Sequence, residues 1–127
     1  MEHGYTIAEV AERTGLSAHT LRYYERAGLL DPPTRGANGH RRYSEGDLGM
    51  LWILTRLRKT GMPIQGMRRY AELCRVGPET TEERRVLLED HRQLVLERIA
   101  ALQCDLRLIE GKIKTYAEGA TRDLASP

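Results

Sequence analysis

Three clusters of side chains in this 127-residue sequence could do chemistry, and in each it is the chemistry of gripping a polyanion. Ser17, His19, Thr20, Arg22, Tyr23 and Tyr24 crowd into one short stretch. Arginine offers a forked pair of donors to a guanine edge or a phosphate, and tyrosine a hydroxyl on a rigid arm. Arg41, Arg42 and Tyr43 repeat the combination, and Arg56, Arg58, Lys59, Arg68 and Arg69 add a further basic group. The parts of a catalytic site are not evident: no Ser/His/Asp order, no paired carboxylates, no glycine loop built to cradle phosphate. His3, His19, His40 and His91 are scattered, at no metal-ligand spacing to Cys74 or Cys104. No metal, no other cofactor and no enzyme activity is therefore expected.

The net charge of +2 hides an asymmetry. Up to Pro78 there are twelve basic and eight acidic residues; beyond it, eight and ten. Between Arg35 and Arg69 the balance is eight to two. Such an excess suits a polyanion, because each neutralised phosphate releases condensed counterions, although a merely solvated basic face has the same balance. With 40% hydrophobic and 30% charged residues the chain can bury one core of ordinary size. No apolar run approaches the roughly 20 residues that span a bilayer. The first residues lack the basic-then-apolar pattern of a secretory signal, and two cysteines make no disulfide framework. The expectation is a protein of the reducing cytoplasm that does not engage membranes.

The elements that must position these clusters are punctuated clearly. Thr6 and Glu9 form a capping box for a helix in which Ile7, Val10 and Ala11 share a face. Gly15 stops it, Ser17 caps a second helix from Ala18 to Arg26, and Gly28 ends that one. Ala11 is small enough for the two helices to approach, while Leu16 and Leu21 fill the corner: the spacing of a helix-turn-helix. The second helix carries the first cluster, with one tyrosine expected partly buried, its hydroxyl at the backbone. Asp31-Pro32-Pro33 cannot continue a helix. Asn38-Gly39 favours a hairpin turn, so Thr34-Arg35 and His40 to Tyr43 should pair as a small wing. Its basic strand either follows a phosphate backbone or is simply solvated. Ser44 and Asp47 cap a third helix running to about Lys59, with Trp52 expected in the core. Thr60-Gly61 closes it, and Pro63 opens a fourth, Ile64 to about Arg75, with Ile64, Met67, Tyr70, Ala71 and Cys74 on one face.

After Val76-Gly77-Pro78 the pattern changes. Val95, Ile99, Leu102, Leu106, Ile109, Ile113 and Tyr116 are separated by 4, 3, 4, 3, 4 and 3 residues, a heptad seam. A helix from Glu79 to about Ala117 would be roughly 58 Å long. The residues before it are too few to cover it, so the seam needs a partner, most economically the same helix of a second copy. Cys74 falls on an apolar face and reads as core rather than sensor. Cys104 falls outside the seam, and His91 reads as a polar interruption near its start. The organisation expected is a DNA-binding domain at 1–77, a dimerisation helix at 78–117 and a flexible tail at 118–127.

The run Tyr5 to Ala11, then Thr14-Gly15-Leu16-Ser17, Thr20 to Glu25, Gly28-Leu29-Leu30 and Gly39 to Tyr43 resembles the MerR family of bacterial transcriptional regulators. The resemblance implies a mainly α fold: a winged helix-turn-helix with a small β-wing, followed by a long dimerisation helix in an antiparallel coiled coil. It implies a homodimer on double-stranded promoter DNA that bends and untwists the duplex so that RNA polymerase can align both promoter elements, with a small-molecule inducer as the switch. Arg22, Tyr23 and Tyr24 match the family's recognition-helix motif, and Arg42 with Tyr43 the close of its wing. Departures concern the effector. Pro78 to Thr81 and Ala117 to Ala120 hold no thiol where metal-sensing members carry cysteine, and Arg56 stands where a stress-responsive branch has one. Fewer than a dozen residues follow the long helix, against the large ligand domain that multidrug-binding members append, so an inducer site is expected between the fourth helix and the dimerisation helix. The alternative from another class is a coiled-coil scaffold or adaptor that recruits a protein partner, its basic face incidental.

Overall fold

A computed structural model describes residues 4–31, 34–35 and 41–119. Its helix boundaries follow the caps. Helix α1 (Ile7–Thr14) starts where the Thr6 hydroxyl accepts from the Glu9 amide at 3.2 Å and the Glu9 carboxylate accepts from the Thr6 amide at 2.9 Å. It ends at Gly15, whose φ of +75° turns the chain left-handed at little cost for a residue without Cβ. Helix α2 (Ala18–Arg26) begins with the Ser17 hydroxyl accepting from the Thr20 amide at 3.1 Å. Helix α3 (Glu45–Lys59) repeats the capping box with Ser44 and Asp47. Helix α4 (Ile64–Val76) opens on Pro63.

Strands β1 (Thr34–Arg35) and β2 (Arg41–Arg42) pair antiparallel, with Thr34 opposite Arg42. The expected Asn38-Gly39 turn, His40 and the Pro32-Pro33 break lie outside the described residues, as do His3 and residues 120–127. Tyr5 and Tyr43 form an isolated bridge, each amide donating to the other's carbonyl at 2.7 and 2.8 Å. A 3₁₀ turn over Pro78–Thr80 separates α4 from α5 (Thr81–Ala117), so the long helix begins two residues later than its expected start at Glu79. Proline at the head of a short, tighter turn accounts for the shift.

The chain divides into two compact units, Met1–Leu87 and Leu88–Pro127. The first has a closed core of Val10, Leu21, Tyr24, Leu29, Tyr43, Leu51, Leu54 and Met67, all below 2% exposed. Trp52 is not part of it. The indole is 57% exposed, with the Arg56 guanidinium carbon 4.3 Å above its ring. The buried stripe of α3 runs through Leu51, Leu54, Thr55 and Leu57, and one residue is about 100° of helix, which carries Trp52 off that stripe. Gly66 holds α4 close to the chain before it, since a Cβ there would come 2.9 Å from Met62 Cγ. In the second unit the seam is bare: Ile99, Leu102, Leu106, Ile109, Ile113 and Tyr116 are 45–67% exposed. Val95 is half-buried, and His91 is buried. Among the described residues no helix is long and apolar enough to cross a membrane.

Candidate nucleic-acid interface

The two faces of α2 have opposite fates. Leu21 and Tyr24 point into the core, at 0% and 1% exposure. His19, Arg22, Tyr23 and Arg26 are on the surface, Ser17 is exposed at the leading end, and Thr20 is half-buried. The Ser17 hydroxyl also donates to Thr20 Oγ1 at 3.0 Å, so the cap and its neighbour hold each other in place. Tyr23 faces outward and Tyr24 inward, with ring centroids 6.1 Å apart at 52°, and Tyr24 is wholly rather than partly buried. Helical spacing alone forces this split: adjacent residues cannot share a face.

A polar framework fixes α2 from both ends. At the corner, the Thr14 hydroxyl donates to the Val10 carbonyl at 2.7 Å and accepts from the Leu16 amide at 3.2 Å. Beyond the helix, Arg68 Nε donates to the Ala27 carbonyl at 2.8 Å. Arg75 Nε donates to Asp31 Oδ1 at 2.8 Å, and the same guanidinium reaches the Gly28 carbonyl. Glu25, on α2 itself, accepts from the Tyr43 hydroxyl at 2.5 Å, which joins the close of the β-pair to the helix. Asp31, Arg68 and Arg75 were not legible as a framework because their partners lie 41 to 47 positions away, with no local signal in the sequence.

The third basic group is dispersed. Arg68 serves the Ala27 carbonyl, Arg69 pairs with Glu83 at 3.0 Å, and Arg56 lies on Trp52. Only Arg58 and Lys59, exposed at the end of α3, remain from that set as plain surface cations. Tyr43 is 1% exposed like Tyr24, so both rings belong to the core; an aromatic ring is too large an apolar surface to leave in water when a core is at hand. Arg41 and Arg42 lie in β2, beside the buried Tyr43.

Among the described residues three titratable groups are displaced. A hydrogen bond to the Glu45 carboxylate pushes the Tyr5 phenol up, and burial followed by the neighbouring Cys74 thiol does the same to Tyr70. The Arg85 guanidinium holds Glu82 below the usual carboxylate range. A cavity of about 260 Å³ lies between Leu29–Asp31, the start of α3 (Ser44, Met50) and the end of α4 (Ala71, Cys74, Arg75). No α5 residue lines this cavity.

Residues 5–74 match the model of the MerR HTH family regulatory protein. The chain belongs to the MerR family. It is 41% identical over 112 residues to an HTH-type transcriptional regulator of Haemophilus influenzae, covering 88% of this chain and 83% of the relative. It is 41% identical over 91 residues to the transcriptional regulator AdhR of Bacillus subtilis, covering 72% of this chain and 65% of AdhR. Among solved structures it is similar to HiNmlR, a MerR family regulator lacking the sensor domain, bound to promoter DNA. That likeness has a TM-score of 0.79 at 39% identity and covers 93% of this chain and 97% of the other. This MerR protein is thus a transcriptional regulator with a helix-turn-helix N-terminus and a long C-terminal helix.

Proposed function

We propose that this regulator is a cytoplasmic homodimer that binds double-stranded promoter DNA and acts by binding and deforming it, without catalysis. The observation that carries the reading is the division of α2. A helix pinned by Leu21, Tyr24 and Glu25 presents His19, Arg22 and Tyr23 outward, the arrangement that reads base edges in a major groove. Ser17 and Thr20 sit at its leading end, where backbone amides favour a phosphate. Arg41, Arg42 and Lys59 are assigned to flanking phosphates, while Tyr24 and Tyr43 hold the reading surface in register from within.

Residues 1–77 carry the reading and 78–117 the pairing. Val95, Ile99, Leu102, Leu106, Ile109, Ile113 and Tyr116 meet the same residues of a second copy in an antiparallel coiled coil, which spaces two α2 helices for successive grooves. HiNmlR, described as bound to promoter DNA, supports the target. RNA polymerase is the partner that reads the distorted spacer, and the 260 Å³ cavity is the space offered to a small inducer.

Titration of the full chain against the DNA upstream of its own gene tests the reading by fluorescence anisotropy. Binding that weakens steeply as salt rises, with a preference for one sequence over random duplex, is expected. Binding that ignores salt, or none to any duplex, overturns it.

A further inference from the structure

The passage from α4 to α5 is held by more hydrogen bonds than its length requires. Gly77 has φ +119° and ψ −162°, a conformation nearly confined to glycine, and its amide donates to the Leu73 carbonyl at 3.3 Å. Thr80, 4% exposed, shares its hydroxyl proton between the carbonyls of Leu73 at 2.6 Å and Gly77 at 2.8 Å. The same oxygen accepts from Arg84 Nε at 3.1 Å. Arg84 Nη2 then donates to the Gly77 carbonyl at 3.1 Å and to Thr81 Oγ1 at 3.2 Å, and Thr81 donates to the Pro78 carbonyl at 2.7 Å. One guanidinium therefore ties the Gly77 carbonyl to Thr80 in the 3₁₀ turn and Thr81 in the first turn of α5, and the Thr80 hydroxyl carries the link on to the Leu73 carbonyl of α4. Arg69 with Glu83 adds an exposed pair across the same joint.

We propose that this Thr80–Arg84 clamp over Gly77 fixes the angle at which α5 leaves α4, and that Arg84 is thereby a positioning residue for operator spacing although it touches no DNA. The inference rests on the dimeric DNA-binding reading above. Its physical basis is leverage. Helix α5 has 37 residues, about 55 Å at 1.5 Å per residue, so about 5° of slack at its first turn becomes about 5 Å at its far end. One base pair more or less between half-sites moves them about 3.4 Å and turns them by about 35°. Selectivity for one spacing is lost with a joint that loose. Arginine suits the role because its planar fork reaches three acceptors at once, which a lysine ammonium on a flexible stem does not do with the same geometry.

The test uses the full chain with duplexes that the wild type selects from a random pool. Each duplex is then lengthened or shortened at its centre by about one or two base pairs. Arg84→Ala is expected to stay dimeric and keep the half-site sequence, but to lose roughly tenfold of the affinity ratio between the selected spacing and the altered ones. Arg84→Lys should fall between. Thr80→Val, which removes only the hydroxyl's bonds at similar volume, should move the ratio the same way. Spin labels on cysteines introduced for Gln65 in α4 and Val86 in α5, with Cys74 and Cys104 replaced by Ser, should give a narrow distance distribution that either variant broadens. An unchanged affinity ratio, or a loss equal at every spacing, overturns the proposal. A wild type that selects no duplex defeats the DNA-binding reading instead, and the label distances alone then decide the clamp: unchanged width refutes it.

Discussion

Residues 4–87 and 88–119 use the same kinds of apolar side chain to opposite ends. In the first unit Leu21, Leu51, Leu54 and Met67 are almost wholly buried; in the second Leu102, Leu106, Ile109 and Ile113 are more than half exposed. A seam left in water forfeits its transfer free energy, at roughly 25 cal/mol per Å² of apolar surface. The first unit is completed by its own chain. The second has the sequence of a coiled coil and, alone, only half of one. On the proposed dimeric reading, the recognition surface is a property of one chain, whereas the pairing surface becomes a structure only in the assembly.

The comparison breaks most sharply at the seam. Leu106→Arg should leave the first unit folded by circular dichroism and make the chain monomeric in sedimentation. DNA affinity should fall by roughly a hundredfold or more as bivalent binding is lost. If this variant remains a dimer, the seam is not the pairing surface. In the first unit, Leu21→Ala should lower stability by about 2–5 kcal/mol in urea unfolding, to the same extent at every protein concentration, because the cavity it leaves lies within one chain. Arg22→Ala should keep both the dimer and the melting temperature and lose about 1–3 kcal/mol of DNA affinity. The scaffold alternative expects this variant to be indistinguishable from wild type.

Smaller effects sharpen the contrast from inside the closed core. Thr55 is buried with its hydroxyl unpartnered. Thr55→Val should therefore raise stability by about 1 kcal/mol in thermal or urea unfolding, since burying an unmade hydrogen bond costs about that much or more. The least effect is expected at Tyr70. Its phenol titrates above the ordinary value, so the folded state favours the neutral ring: that contribution is fully present below the unfolded value near 10 and is lost as pH rises through the raised one. Unfolding followed from neutral to strongly alkaline pH should show this loss in the wild type and a shallower one in Tyr70→Phe.

Much of the scaffold was legible because its signals are local. Thr6 with Glu9, Ser17, and Ser44 with Asp47 each cap within three residues, and all three helices start where those caps put them. The outward placement of His19, Arg22 and Tyr23 also follows from helical period once Leu21 is known to be core. Trp52 misled because size and apolarity favour burial in general, while α3 had a complete stripe without it. The partners of Arg68 and Arg69 were not legible because a basic residue reads the same whether it faces solvent, a carbonyl or a carboxylate.

By itself the sequence determined the helices, their caps, the corner between α1 and α2 and the periodic seam, all of which are set by side chains within a few positions of each other. Folding in three dimensions settled that Tyr43 is an inward strut on Glu25, that Arg75 braces the exit of α2, and that Arg84 ties Gly77, just past α4, to α5. The reason is physical: a cap is satisfied by the backbone that follows it, whereas a long basic or phenolic side chain takes whichever acceptor folding brings within reach.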